Sequence, residues 1–390
     1  MKSDPNLPEI KGWCPGALRP MLSGDGLVVR IRAPEGRLDQ GQAQGVATLA
    51  RRFGNGQLDL SARANLQIRG VTSESHPPLI DGLRALGLID ADLAAETRRN
   101  IVTAPFWSEG DDTITLSRAL AHALASPGAP DTPGKFGYAI DCGATPVLQA
   151  TSADIRIERA PAGAPVGTLI VRPDGSATGA PATPDTAVAL ALSLARWFLE
   201  SGGAPEGRGR MARHLAAGAA PPDIFAEITA PVAKGPPPAP GPTGQGTLAA
   251  LEFGQTDAET LAALAGHGPL RLTPWRMILV EGARRLPPRH GLILAGEDPL
   301  LSVIACPGAP SCPQAKGPSR PIARALARDL PRGTLLHVSG CAKGCAHPGA
   351  AARTLVATPD GYDLILNGRA GDTPTRTGLS PSDLPALLRP

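Results

Sequence analysis

Two rhythms of apolar and polar positions run along the chain, and they occur twice in the same order. Residues 26–32 (GLVVRIR) predict a strand, 39–53 (DQGQAQGVATLARRF) repeat apolar positions at helical spacing, and 58–70 (LDLSARANLQIRG) alternate as a second strand. Further on, 247–254 (TLAALEFG) predict a strand, 256–265 (TDAETLAALA) a helix opened by Thr256, and 270–282 (LRLTPWRMILVEG) a strand. Setting Leu58 on Leu270 also sets Leu60 on Leu272, Ser61 on Thr273 and Gly70 on Gly282. The shared order and the shared end point to an internal duplication. Between the copies lies Ala230 to Gly246, whose prolines favour an extended linker and exclude a helix or central strand. Further helices are expected at 186–200, 207–217 and 319–329, and a short buried strand at 334–338.

Composition adds limits. The 46 glycines and 43 prolines among 390 residues predict many turns, while 42% hydrophobic and 19% charged residues fit a folded, multi-domain protein. Aromatic content of 3% gives no stacking platform for single-stranded nucleic acid, and a net charge of +3 implies no polyanion partner. No apolar run is long enough to span a membrane, and MKSDPNLPEI lacks the form of a signal peptide, so a cytoplasmic location is expected. Only six of the 38 basic residues are lysine, so the few lysines inside motifs stand out.

Chemistry concentrates in the cysteines. Cys306-Pro-Gly-Ala-Pro-Ser-Cys312 is followed, after 28 residues, by Cys341-Ala-Lys-Gly-Cys345. Four thiolates meeting at one point suit a [4Fe–4S] cluster or a tetrahedral zinc, but five intervening residues exceed a zinc knuckle. In a reducing compartment disulfides are the weaker expectation. Cys14 and Cys142 have no paired neighbour and read as small buried hydrophobes.

The C-x5-C and C-x3-C spacing resembles the cluster signature of the sulfite and nitrite reductase superfamily. Arg63-Ala-Asn-Leu-Gln67 resembles its Thr-Arg-x-Asn-x-Gln strand, with Ala62 in the threonine position. Arg99-Asn100 resembles its Arg-Asn pair, and Pro133-Gly-Lys-Phe136 its Pro-Arg-Lys-Phe loop. The reductases carry a second lysine in that loop to hold a small anion, whereas Gly137 stands here. This departure, with Trp13-Cys-Pro-Gly-Ala-Leu-Arg-Pro20, Gly24-Asp-Gly26, Lys343 and His347, resembles the precorrin-3B synthase branch.

The resemblance implies an α+β fold of duplicated reductase-like architecture with pseudo-twofold symmetry. Its parts would be a ferredoxin-like half-domain (1–80), a reductase-type domain (81–229), the linker (230–246), a second half-domain (247–292) and a cluster-bearing domain (293–390). It further implies a monooxygenase of aerobic cobalamin biosynthesis that hydroxylates precorrin-3A at C-20 with O2 and closes a γ-lactone. The cofactors implied are a [4Fe–4S] cluster on Cys306, Cys312, Cys341 and Cys345, a mononuclear non-haem iron, and NADH or another reduced donor. No G-x-G-x-x-G follows a strand, so either the dinucleotide binds unconventionally or a separate reductase is the partner. Precorrin-3A carries eight carboxylates, for which arginine forks are suited. Lys135, Arg99 and His347 are the candidate catalytic residues, and Arg63, Asn65, Gln67, Arg69 and Asn100 the candidate substrate-binding ones. The rival readings are a sirohaem-dependent nitrite or sulfite reductase, and a non-catalytic iron–sulfur or zinc protein.

Overall fold

Residues 58–70 and 270–282 each form a hairpin rather than one strand. β4 (Gln57–Leu60) and β5 (Leu66–Val71) are joined where the Asn65 N–H donates to Ser61 Oγ at 3.2 Å and Ala64 takes a φ of 55°. β15 (Leu270–Leu272) and β16 (Met277–Glu281) repeat the device: the Met277 N–H donates to Thr273 Oγ1 at 3.3 Å and Arg276 takes a φ of 61°. Alternation continues on both arms, so the pattern alone conceals the turn, which a hydroxyl and a left-handed residue create. The paired positions Ser61 and Thr273 therefore do the same work, as the duplication predicts. A computed structural model describes residues 15–388 apart from 162, 166 and 232–237.

Each copy lends a strand to the other. One sheet runs β1 (Met21–Ser23), β2 (Gly26–Ile31), β5, β4 and β14 (Gln255–Asp257), the last from beyond the linker. Its counterpart runs β12 (Gly241–Pro242), β13 (Gly246–Leu251), β16, β15 and β3 (Arg37–Leu38), with β17 (Leu292–Ile293) also on β13. Leu38 pairs with Leu270 and Thr256 with Leu58. A tight turn precedes each exchanged strand, with Glu35 at φ 52° and Phe253 at φ 55°. An aspartate then caps the following helix: Asp39 accepts from Gln42 N before α1 (Gln40–Phe53), and Asp257 from Thr260 N before α7 (Ala258–Ala265). Asp257 rather than Thr256 thus opens the second helix, because Thr256 is spent as a strand residue. α1 and α7 pack together, and Val29, Ile31, Leu66 and Ile68 share one core with Ala249, Leu251, Ile278 and Val280.

The other two sheets also match. β6 (Ile101–Thr103), β7 (Tyr138–Asp141) and β8 (Ile155–Arg159) are parallel, and β9 (Leu169–Pro173), β10 (Thr178–Ala182) and β11 (Ile228–Thr229) add antiparallel strands. β18 (Val303–Ala305), β19 (Leu336–Ser339) and β20 (Ala351–Thr358) are parallel, followed by antiparallel β21 (Gly361–Gly368) and β22 (Arg376–Leu379). α2 (His76–Ala85) and α3 (Leu93–Arg98) lead into β6. α4 (Asp112–Ala125) packs on α5 (Pro184–Glu200), as α8 (Arg320–Leu326) packs on α9 (Leu384–Leu388). The helix expected over 207–217 shortens to α6 (Met211–Ala216), since Gly207 takes a left-handed φ of 70° and Arg208 and Arg210 are extended. That expected over 319–329 ends at Leu326 and closes in a 3-10 turn. Of the linker, 232–237 lie outside the described residues, and Gly241–Pro242 form the edge strand β12, where a missing N–H is tolerated. Among the described residues no helix is long and apolar enough to cross a membrane.

Candidate functional site

Cys306 follows β18 directly, and Cys341 lies two residues beyond β19, so both cysteine loops leave the carboxyl ends of adjacent parallel strands. The loops are closely fitted. Cys312 N donates to Gly308 O, Lys316 N to Gly340 O at 2.7 Å, and Gly340 N to Cys306 Sγ at 3.1 Å. A Cβ on Gly308 would stand 2.6 Å from Ser319 N, and one on Gly340 would stand 3.1 Å from Gly308 Cα. Only glycine allows this approach, which leaves a backbone N–H aimed at sulfur. Burial raises the Cys341 and Cys345 thiols above the ordinary range; Cys306 and Cys312 push both further the same way, and Lys343 opposes. At Cys341 and Cys345 iron bound to the sulfurs would relieve that penalty. The donor set, the N–H on sulfur and the glycine cradle fit an iron–sulfur group. Among the described residues, no three His, Cys, Asp or Glu side chains are gathered so that they could hold a metal ion.

Below these loops His337, on β19, is fully buried with neither ring nitrogen hydrogen-bonded. His347 meets it edge to face at 5.7 Å and has its own Nε2 3.2 Å from Ala350 O. Burial, with His347 and Arg276 adding to it, lowers His337 to about 4. Sequence reasoning chose His347 and missed His337, whose signal was a polar residue inside the apolar run Leu335-Leu336-His337-Val338.

The first sheet turns one face to α1 and presents a buried polar face on the other side. Arg30, Gln67, Asp59 and Gln255 form one row across β2, β5, β4 and β14. Gln67 Oε1 accepts from Arg30 Nε at 3.2 Å and Nη2 at 2.8 Å. Arg69 donates to both Asp25 oxygens, at 2.9 and 2.6 Å, to Asp59 at 3.2 Å and to Ser23 Oγ at 3.1 Å. This network crosses to the cysteine loops: Ser23 Oγ donates to Ser311 O, and Arg320 Nη2 to the other Asp59 oxygen at 3.3 Å. Arg320 Nε is buried without a partner. Arg276 donates to Ala346 O, beside Cys345, and is held below the usual guanidinium range by burial and then by Arg320.

Arg63, Lys135 and Asn100 come together. Arg63 Nη2 donates to Lys135 O at 2.9 Å, and Asn100 Nδ2 donates to Phe136 O at 2.8 Å. A Cβ at Gly137 would lie 2.8 Å from Asn100 Nδ2 and 3.1 Å from Asn100 O, so the packing of the Arg-Asn pair disfavours any side chain there. Asn65 is buried in the hairpin turn beside Arg63. Arg99 is held apart: it grips Asp90 through two bonds, at 2.6 and 2.9 Å, and donates to Arg32 O. Arg69 and Arg99 thus bind carboxylates of the chain itself. Buried Arg32, lowered to about 10 by desolvation, lines a cavity of about 130 Å3 with Arg19, Glu96 and Gly134. Cys142 is buried with its thiol 3.9 Å from Ile157 O, and Cys14 lies outside the described residues.

Comparison with known proteins agrees with this plan. The nitrite/sulfite reductase ferredoxin-like half domain matches residues 19–86. A solved structure of the Mycobacterium tuberculosis NirA protein has the same fold, with a TM-score of 0.57 and 15% identity over 92% of this chain and 79% of that one. A ferredoxin–nitrite reductase of Synechococcus elongatus is 26% identical over 95% of this chain and 86% of its own length. A precorrin-3B synthase of Sinorhizobium is 31% identical over 94% of this chain and 84% of its own. With the duplicated sheets, the paired cysteine loops and glycine in place of the second lysine, that end-to-end similarity makes this chain a member of the precorrin-3B synthase family within the nitrite/sulfite reductase superfamily.

Proposed function

We propose that the protein is an oxidoreductase that hydroxylates precorrin-3A at C-20 with O2 and closes a γ-lactone, in aerobic cobalamin biosynthesis. The observation that carries this reading over a reductase is Gly137. Beside Asn100 the loop offers the single ammonium of Lys135, which weakens the grip on a small anion in a desolvated site. The adjoining polar face instead suits a large polycarboxylate. Arg63 and Lys135 supply positive charge at one edge, Arg276 and Arg320 at the cysteine side, and Asn65, Gln67 and Asn100 supply hydrogen bonds. Arg69 and Arg99, through Asp25 and Asp90, fix the strands and loop that frame this surface.

Cys306, Cys312, Cys341 and Cys345 hold the [4Fe–4S] cluster in this reading. When bound, the cluster supplies electrons one at a time. Half-buried positive groups orient the substrate's carboxylates and keep water from the reacting carbon, and His347, two residues after the last cysteine, serves as a proton donor. A mononuclear non-haem iron, NADH or another reduced donor, and an electron-delivering reductase complete the proposal. So do a cytoplasmic location and the division into two half-domains, two reductase-type domains and a linker at the boundaries given above.

Anaerobic purification with an optical spectrum and iron, sulfide and sirohaem analysis tests it, followed by precorrin-3A turnover under O2. Cluster absorbance without extractable sirohaem, and a hydroxylated lactone as product, are expected. Stoichiometric sirohaem would move the assignment to a nitrite or sulfite reductase, and zinc without sulfide would end both.

A further inference from the structure

We propose that His337 is a positioning residue for the cysteine-held cluster, donating a ring N–H to one of its sulfurs. The inference rests on the iron–sulfur reading above. Buried polar side chains in folded proteins almost always have partners, yet both nitrogens of this fully buried imidazole lack one. Strand packing does not call for a histidine here. In the matching strand of the first half, aligned by the pairings Ile101–Tyr138 and Val303–Leu336, the equivalent position is buried Ala139. The half with the cysteine loops has a histidine, and the half without them has a methyl group.

Geometry directs the ring toward those loops. Gly344 lies between the last two cysteines at a φ of 62°, and a Cβ on it would stand 3.6 Å from His337 Cε1. His347 packs edge to face on the same ring, tied by its own Nε2 to Ala350 O. The imidazole is therefore fixed against the Cys341–Cys345 segment. An imidazole in either protonation state carries at least one N–H to give. A donor to sulfur favours the reduced, more negative cluster and raises its potential.

Redox titration of the loaded protein tests this. In His337→Leu, with iron and sulfide matching the parent, the oxidised-to-reduced balance should move about tenfold toward oxidised, which is about 59 mV more negative for one electron. His337→Gln keeps an N–H and should recover most of that shift. An unchanged potential in fully loaded His337→Leu overturns the proposal, as does loss of an iron separate from the cluster in that variant. Should the leucine variant not load, pulsed EPR of the reduced His347→Gln protein with 15N-labelled histidine decides the matter. Nitrogen coupling to the cluster supports the proposal, and its absence overturns it. A parent protein without any cluster is a different result, because it removes the iron–sulfur reading itself.

Discussion

The two half-sheets share a fold and differ on one face. In the first, the row Arg30, Gln67, Asp59 and Gln255 is polar, with Arg30 and Asp59 buried and the two glutamines half-buried. In the second, the matching row is Leu248, Leu279, Arg271 and Arg37, and its leucines pack with Ala250, Met277 and Ile293. The loops facing the second sheet are closed by Trp107, with the Arg271 guanidinium 3.6 Å from its ring centre and donating to Pro105 O and Trp107 O. Those facing the first sheet hold the cysteines. One copy has thus been filled with its own side chains, while its twin keeps paired charges on that face and leaves Arg320 Nε without a partner. Duplication supplied the scaffold, and the difference between the copies supplies the site.

The sharpest way to break the comparison is at the sulfurs. Cys345→Ser should abolish iron and sulfide binding, whereas Cys142→Ser, which matches a position beside the cysteine loop in the other half, should leave both unchanged; metal analysis and absorbance decide. Next in size is the bond between the halves. Asp59→Ala strips Arg320 of its carboxylate and leaves Arg69 with Asp25 alone, so denaturant unfolding should show a loss of about 3–5 kcal/mol.

A smaller effect is written in pH. Burial raises the Asp141 carboxyl to about 6 from an ordinary 3.8, and its Oδ1 has no partner, while Oδ2 accepts from Val147 N and Leu148 N. A carboxyl raised on folding contributes stability in full below the ordinary value and loses it as pH rises through the folded one. Relative to Asp141→Asn, the parent should lose on the order of 2–3 kcal/mol between about pH 4 and 6, as thermal melts of both proteins across pH would record. Smallest are the helix caps. Asp39→Ala and Asp257→Ala should each cost about 1 kcal/mol. Equal losses would sharpen the symmetry; a marked inequality would show that the copies have diverged at their helix starts.

Much of this plan was legible in the chain. Cysteine spacing, the Arg63–Gln67 motif and the Ser61–Thr273 match are local patterns, and local patterns survive in sequence. The hairpin turns were not legible, because alternation runs through them unbroken and the deciding φ angles fall on Ala64 and Arg276, residues with no turn signature. Nor were the roles of Arg69 and Arg99: an arginine in a motif looks the same whether it faces a substrate or Asp25 and Asp90. His337 and Arg276 escaped for a related reason. Each gains its meaning from a loop brought near only by the fold.

The strand exchange bears on how the chain comes to be folded at all. Arg37 must wait for Arg271, and Gln255 must return to Asp59, so the first half-sheet cannot be completed on the ribosome before the chain beyond the linker has begun to emerge. Pairings of such sequence separation slow folding and leave strand edges exposed in the interval. Cutting the chain in the linker would accordingly give two fragments, each with an open sheet edge, that recover their structure only on meeting.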